Sequence, residues 1–298
     1  MTTDYLRGHA AASVPGIRLI CKYVVASSSA RTSQIQAALR PSDLVPKSEG
    51  EGSTMPASLE VAKDIDLLAT DGGRDPVWRP GTGLTATESV PASLETGVAF
   101  RPLILRQVSR RALQLAAGSE RPSDLSLALT WALGRDPLTP LPWEFREAEE
   151  MLKAEGMSSI VDNRSQWLSF RRWLTALGPG TAVRAPGGRR ALSASTASVI
   201  RDAGISTPQP VPAREFVSFL LNSISVLGHE LLVAQLPVEA RRIWESTVSP
   251  GLAQGLLELE AMGVLKMLPG DDSEQMVRLA VGGESRTVRS IEWTDGEW

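Results

Sequence analysis

The feature that most restricts the fold is one aromatic helix near the middle of the chain. Asp162 or Asn163 supplies a capping side chain, and Gly178-Pro179-Gly180 ends the segment. Between them, Trp167, Phe170, Trp173, Leu174 and Leu177 fall on one face at 100° per residue. A face this large and apolar has to be covered by other elements, so the centre of the chain must be a helical core and not an isolated surface helix. The stripe could instead stack bases, but its i, i+3, i+6 spacing favours burial.

The opposite character surrounds it. From Asn163 to Arg201 the chain carries Arg164, Arg171, Arg172, Arg184, Arg189, Arg190 and Arg201 and no acidic residue; with a net charge of −3 overall, the rest of the 298 residues sums to −10. Arg164 and Arg171 lie along one edge of the aromatic face, and Arg172 projects from nearly the opposite side. Arg184, Arg189 and Arg190 flank Pro186-Gly187-Gly188, a pattern that predicts a small β-ribbon over Thr181–Arg184 and Arg189–Leu192. A positive block inside an acidic protein points to a phosphate backbone. The competing account is a solvated helix face whose arginines bridge to acidic helices nearby. The residues alone leave both open.

Around this centre the chain divides into an N-terminal domain (1–79), a Pro/Gly/Thr/Ser-rich linker (80–96), a basic helical middle domain (97–204) and a C-terminal domain (205–298). Residues 1–15 read as a loose arm. Helices are expected over Gly16–Ala26, Gln34–Arg40 and Met55–Ala69, with Pro41–Ser53 a loop and Val77-Trp78 a very short strand. In the middle domain, helices follow at Ala99–Ala117, from Ser123 to Arg135, and at Trp143–Ala154; Ser195–Ala203 adds a short one. At the C-terminus, Arg214–Leu227 and Val238–Trp244 precede a helix that Ser249-Pro250 opens and Gly263 closes. Strands at Val264–Leu268 and Gln275–Val281 surround a turn at Pro269–Ser273, and Arg286–Trp293 offers a third. Three helices followed by a strand pair is the winged-helix order. The expected fold is therefore mainly α with small β-wings, a winged-helix domain at each end and a helical middle. The third helix of each winged helix shows acid outward, Glu60, Asp64 and Asp66 in one and Glu258 and Glu260 in the other. Such faces suit a protein partner better than DNA.

Other chemistry finds little support. The single cysteine, Cys21, excludes an internal disulfide and a cysteine-based zinc cluster, and its apolar surroundings predict a buried thiol. His9 and His229 have no metal-ligand spacing. Glu147, Glu149, Glu150 and Lys153 share one helix and read as a solvated face. Gly81-Thr82-Gly83 lacks the rest of a nucleotide-binding fingerprint. No catalytic residue, cofactor or metal is expected. No apolar run approaches the roughly 18 residues of a membrane span, and no signal pattern opens the chain, so the cytoplasm is the expected location.

The sequence Asp162-Asn163-Arg164-x-x-Trp167-x-x-Phe170-Arg171-Arg172-Trp173-x-x-x-Leu177-Gly178, with Leu236-Pro237, Val248-Ser249-Pro250-Gly251-Leu252 and Leu257-Glu258-x-Glu260-x-Met262-Gly263-Val264-Leu265, resembles the DpdG-type proteins. These are encoded with bacterial 7-deazaguanine DNA-modification and restriction clusters. The resemblance covers the second half of the chain. It implies an accessory protein of a phage-defence operon, working beside an ATPase or helicase, and carries over no catalytic residues.

The expected function is a non-enzymatic DNA-binding subunit of such an assembly, holding phosphates with Arg164, Arg171, Arg172, Arg184, Arg189 and Arg190. The alternative is a tandem winged-helix scaffold that binds other subunits, as in SMC- or helicase-type complexes. A transcriptional regulator would need a basic reading helix, which neither terminal domain offers.

Overall fold

The computed structural model describes residues 4–39, 54–85, 90–203, 209–244, 248–270 and 276–294. Most of these residues are helical, and short antiparallel sheets punctuate them. The expected loop at Pro41–Ser53 lies outside the described residues.

The first group comprises α1 (Val14–Ala26), β1 (Ala30–Arg31), α2 (Thr32–Leu39), α3 (Thr54–Asp64), β2 (Leu68–Thr70) and β3 (Val77–Pro80). Ser13 opens α1 by accepting from the Gly16 N–H at 3.2 Å, and Ile17, Ile20, Cys21 and Val24 form its buried side. Helix α3 is shorter than its apolar pattern suggests. Asp66 adopts a left-handed φ of 57°, and the Leu67 N–H reaches back to the Ala62 carbonyl at 2.9 Å. This closing motif ends the helix, so Leu68 starts a strand and does not extend the helical face.

Within Pro80–Thr96, expected as a linker, two short helices form, α4 (Thr82–Thr85) and α5 (Val90–Glu95). Gly81 packs so closely on the Asp66 carbonyl that a Cβ would lie 2.3 Å from its oxygen. Thr96 then caps α6 (Gly97–Ala117). The second group is α7 (Asp124–Gly134), β4 (Leu141–Pro142), α8 (Phe145–Ala154), α9 (Arg164–Ala176), β5 (Gly180–Arg184) and β6 (Arg190–Ala194). The third is α10 (Ala197–Asp202), β7 (Val211–Pro212), α11 (Ala213–Ser223), α12 (Glu230–Val233), α13 (Val238–Arg241), α14 (Pro250–Ala261) and β8 (Leu265–Leu268), then β9 (Val277–Val281), β10 (Glu284–Val288) and β11 (Ser290–Trp293).

One plan recurs in all three groups. The sheets run β1-β3-β2, β4-β6-β5 and β7-β11-β8, so the earliest strand always pairs with the last, and the last with the one between. All six pairings are antiparallel. The middle group therefore holds more β-structure than the expected ribbon. Leu141 and Pro142, in the proline-rich break, pair with Leu192 and Ala191 as an edge strand, where proline needs no ladder partner.

The C-terminal pairing also differs from expectation. β8 pairs with β11, not β9, while β9 and β10 make their own hairpin about Gly282-Gly283. Both glycines have positive φ, 59° and 86°, which a two-residue hairpin loop of this kind requires.

The aromatic stripe is core. Trp167 and Phe170 are 0% exposed and Trp173 is 1% exposed, with Trp167 and Phe170 centroids 5.5 Å apart and Trp131 of α7 packing on Phe170 at 6.4 Å. Base stacking by these rings is thereby excluded. The N-terminal arm is anchored as well: Tyr5 and Leu6 are buried, and the Leu6 and Arg7 N–H groups both donate to the Asp124 carboxylate at 2.9 Å. Helix α14 closes onto the middle group through Gly251 and Gly255, where a Cβ would lie 2.0 Å from the Leu133 carbonyl oxygen and from Thr196 Oγ1.

Candidate nucleic-acid interface

The ribbon β5–β6 and helix α9 carry the sequence-predicted arginines, and the structure holds them in different states. In the ribbon, the register sets Arg184 directly opposite Arg190. Both are exposed, and no ion pair is formed by either among the described residues. Like charges placed opposite each other across a ribbon destabilise it. Arg189, next in line, approaches Glu147 of α8 at 3.8 Å with its side chain 72% exposed, a contact of little energetic weight. Ala182, Val183, Arg184, Gly188 and Arg190 line a groove on this ribbon. Arg164, at the first turn of α9, is exposed and unpaired among the described residues.

Arg171 and Arg172 are not free in the same sense. Arg171 donates to the Trp143 carbonyl, and its guanidinium carbon sits 4.0 Å from the centroid of the Trp143 ring. Arg190 lies over the same ring at 3.7 Å. Burial of the Arg171 guanidinium lowers its pKa; Glu144 opposes that shift and Arg190 adds to it. Arg172 donates to the Ala10 carbonyl. Both arginines are thus held by neutral carbonyls, and neither forms an ion pair among the described residues. Arg201 pairs with its neighbour Asp202 at 3.4 Å.

The acidic helices are less open than their sequences suggest. Asp64 accepts from Tyr5 Oη at 2.6 Å and pairs with Arg111 of α6 at 3.2 Å; Asp66 faces Arg110 at 3.6 Å. Glu258 accepts from Ser195 Oγ at 2.8 Å. Glu260 takes a two-pronged contact from Arg286, the longer arm at 3.1 Å, and accepts from the Met267 N–H at 3.0 Å. Glu60, beside Lys63, and Asp66 keep side chains about half exposed.

The remaining candidates are structural. His229 caps α12 by accepting from the Leu231 N–H at 3.2 Å, and Lys153 pairs with Glu149 at 2.7 Å. The Cys21 thiol is fully buried, and that burial raises its pKa. Among the described residues no cluster of three metal-ligating side chains occurs, and no helix is long and apolar enough to cross a membrane.

Trp143, expected as the first residue of a helix, lies just before α8. It lies in a proline-rich break, and its contact with Arg171 spans 28 residues.

These features define a mainly helical protein of three like-ordered groups, with one basic ribbon on the middle group. The DpdG-like family model matches residues 6–273, and the chain belongs to the DpdG-like family. The match takes in the first group as well as the second half that the motif resemblance covered. No curated protein and no solved structure matches the chain.

Proposed function

We propose that the protein is a non-enzymatic DNA-binding accessory subunit of a bacterial DNA-modification and phage-defence assembly, acting in the cytoplasm beside an ATPase or helicase. The recurring strand order suits three winged-helix units, one more than the sequence suggested. In this reading the middle unit's ribbon is the wing that meets the phosphate backbone, with Arg184, Arg189 and Arg190 on the wing and Arg164 at the head of its third helix. Arg171 and Arg172 support that surface from behind.

The observation that carries the reading is the unneutralised Arg184–Arg190 pair, set opposite in register. A phosphate between two guanidiniums relieves their repulsion. The test is a gel-shift titration of duplex DNA with the R184E/R189E variant. Binding should weaken by at least about tenfold, and the log–log salt slope should flatten by about two, one for each phosphate that is no longer held. Unchanged affinity and slope would overturn the reading.

A scaffold role has one observation in its favour: Phe219 and Val238 of the C-terminal group are large apolar side chains at 56% and 68% exposure. A scaffold should capture neighbouring subunits from nuclease-treated lysate and be indifferent to R184E/R189E.

A further inference from the structure

A cavity of about 520 Å³ opens between the head of α1 and helix α9, lined by a different set of residues from the ribbon groove. Its walls include Ser13, Arg101, Trp143, Arg171, Arg172 and Trp173, and no carboxylate lines it. All three guanidiniums are positioned by backbone carbonyls: Arg101 Nε donates to Ala176 at 3.2 Å, Arg171 to Trp143 and Arg172 to Ala10. Their charge is therefore held in place, and none of the three forms an ion pair among the described residues. Two further donors in these walls, Arg171 Nε and Trp173 Nε1, are buried and have no acceptor among the described residues. Trp173 itself is 1% exposed. A buried donor without a partner is costly, and most such donors in folded proteins are satisfied. The 13-residue helix α1 also starts at this cavity and adds the positive end of its dipole.

Positive groups and otherwise mostly apolar walls select one kind of ligand. We propose that this cavity binds a small organic anion of mononucleotide size, its phosphate among Arg101, Arg171 and Arg172 and its less polar body against the apolar wall of Ala12, Val14 and Pro15. The volume falls within the roughly 300–1,000 Å³ range of small-molecule sites. The proposal does not depend on the ribbon reading, because none of Arg184, Arg189 and Arg190 lines this cavity.

The experiment is isothermal titration calorimetry on the full chain, freed of nucleic acid, with the four 2′-deoxynucleoside 5′-monophosphates and with inorganic phosphate as probes. At least one nucleotide should bind saturably at one site, at least about tenfold more tightly than phosphate. R101Q should weaken it about tenfold or more by removing a charge-assisted contact. T175W, which places a large ring at the cavity mouth from an exposed lining position, should abolish binding while leaving the melting temperature nearly unchanged. The R184E/R189E variant should bind the nucleotide like the wild type while losing duplex DNA. No saturable heat from any nucleotide, wild-type affinity in both R101Q and T175W, or phosphate binding as tightly as the nucleotides would each overturn the proposal.

Discussion

The middle and C-terminal groups share a strand order and differ in how they treat their arginines. In the C-terminal group Arg286 is clasped by Glu260, which also accepts from the Met267 N–H, so the charge is spent inside the group. In the middle group Arg171, Arg172 and Arg190 rest on carbonyls and an indole ring, and Arg184 pairs with nothing acidic. The same strand order therefore holds a neutralised arginine, Arg286, in one group and an open one, Arg184, in the other. What a group of this shape binds follows from where its acids sit and not from its topology.

Measurements on both groups put this contrast at risk. The largest effect should come from the core that carries the charged surface. W167A empties a fully buried site between α9 and its neighbours and should lower unfolding free energy by about 3–5 kcal/mol, checked by urea denaturation. L256A in α14 should fall at or below that figure, within about 2–5 kcal/mol, if the two groups are packed alike.

Next comes pH dependence, which should belong to the middle group. Desolvation by burial raises the Asp124 pKa from 3.8 to about 6, although the Leu6, Arg7 and Leu125 N–H groups pull the other way. A folded-state pKa above the unfolded one means the fold binds the proton more tightly. The carboxyl's contribution is complete below about pH 3.8 and lost as pH rises through about 6. Between pH 4 and pH 7 the wild type should lose up to about 3 kcal/mol relative to D124N, from 1.36 kcal/mol per pH unit. Ser249 caps α14 as Ser123 caps α7, and Pro250, which does not titrate, stands where α7 has Asp124, so S249A should show no such slope.

E260Q should then cost about 1–2 kcal/mol, because it uncouples Arg286 from a half-buried carboxylate. R189Q, removing an exposed 3.8 Å contact, should stay within about 0.5 kcal/mol by thermal melting. Equal effects for these two would erase the distinction between clasped and open arginines.

Several elements were legible because their signals are local. Ser123, Asn163 and Ser249 cap the helices their positions predicted, and the i, i+3, i+6 aromatics of α9 are buried as that spacing demands. Others were not. The end of α3 depends on a left-handed Asp66, a conformation that no apolar pattern announces. The pairing of β8 with β11 skips a whole hairpin, and β4 is a two-residue edge strand made by partners about 50 residues further on. Short strands take their identity from what they pair with.

The candidate site divides along the same line. Residue order alone set the stock of charge: an arginine block without acid, and a helix that had to bury one face. Which guanidiniums stay open was settled by folding, because carbonyls, rings and carboxylates from distant segments reach some of them and not others. Folding also brought Arg101 from α6 and the start of α1 to the Trp143–Trp173 cavity and turned Asp64, Glu258 and Glu260 onto partners of their own. Electrostatic contacts act over a few ångströms in space, and distance along the chain says little about them.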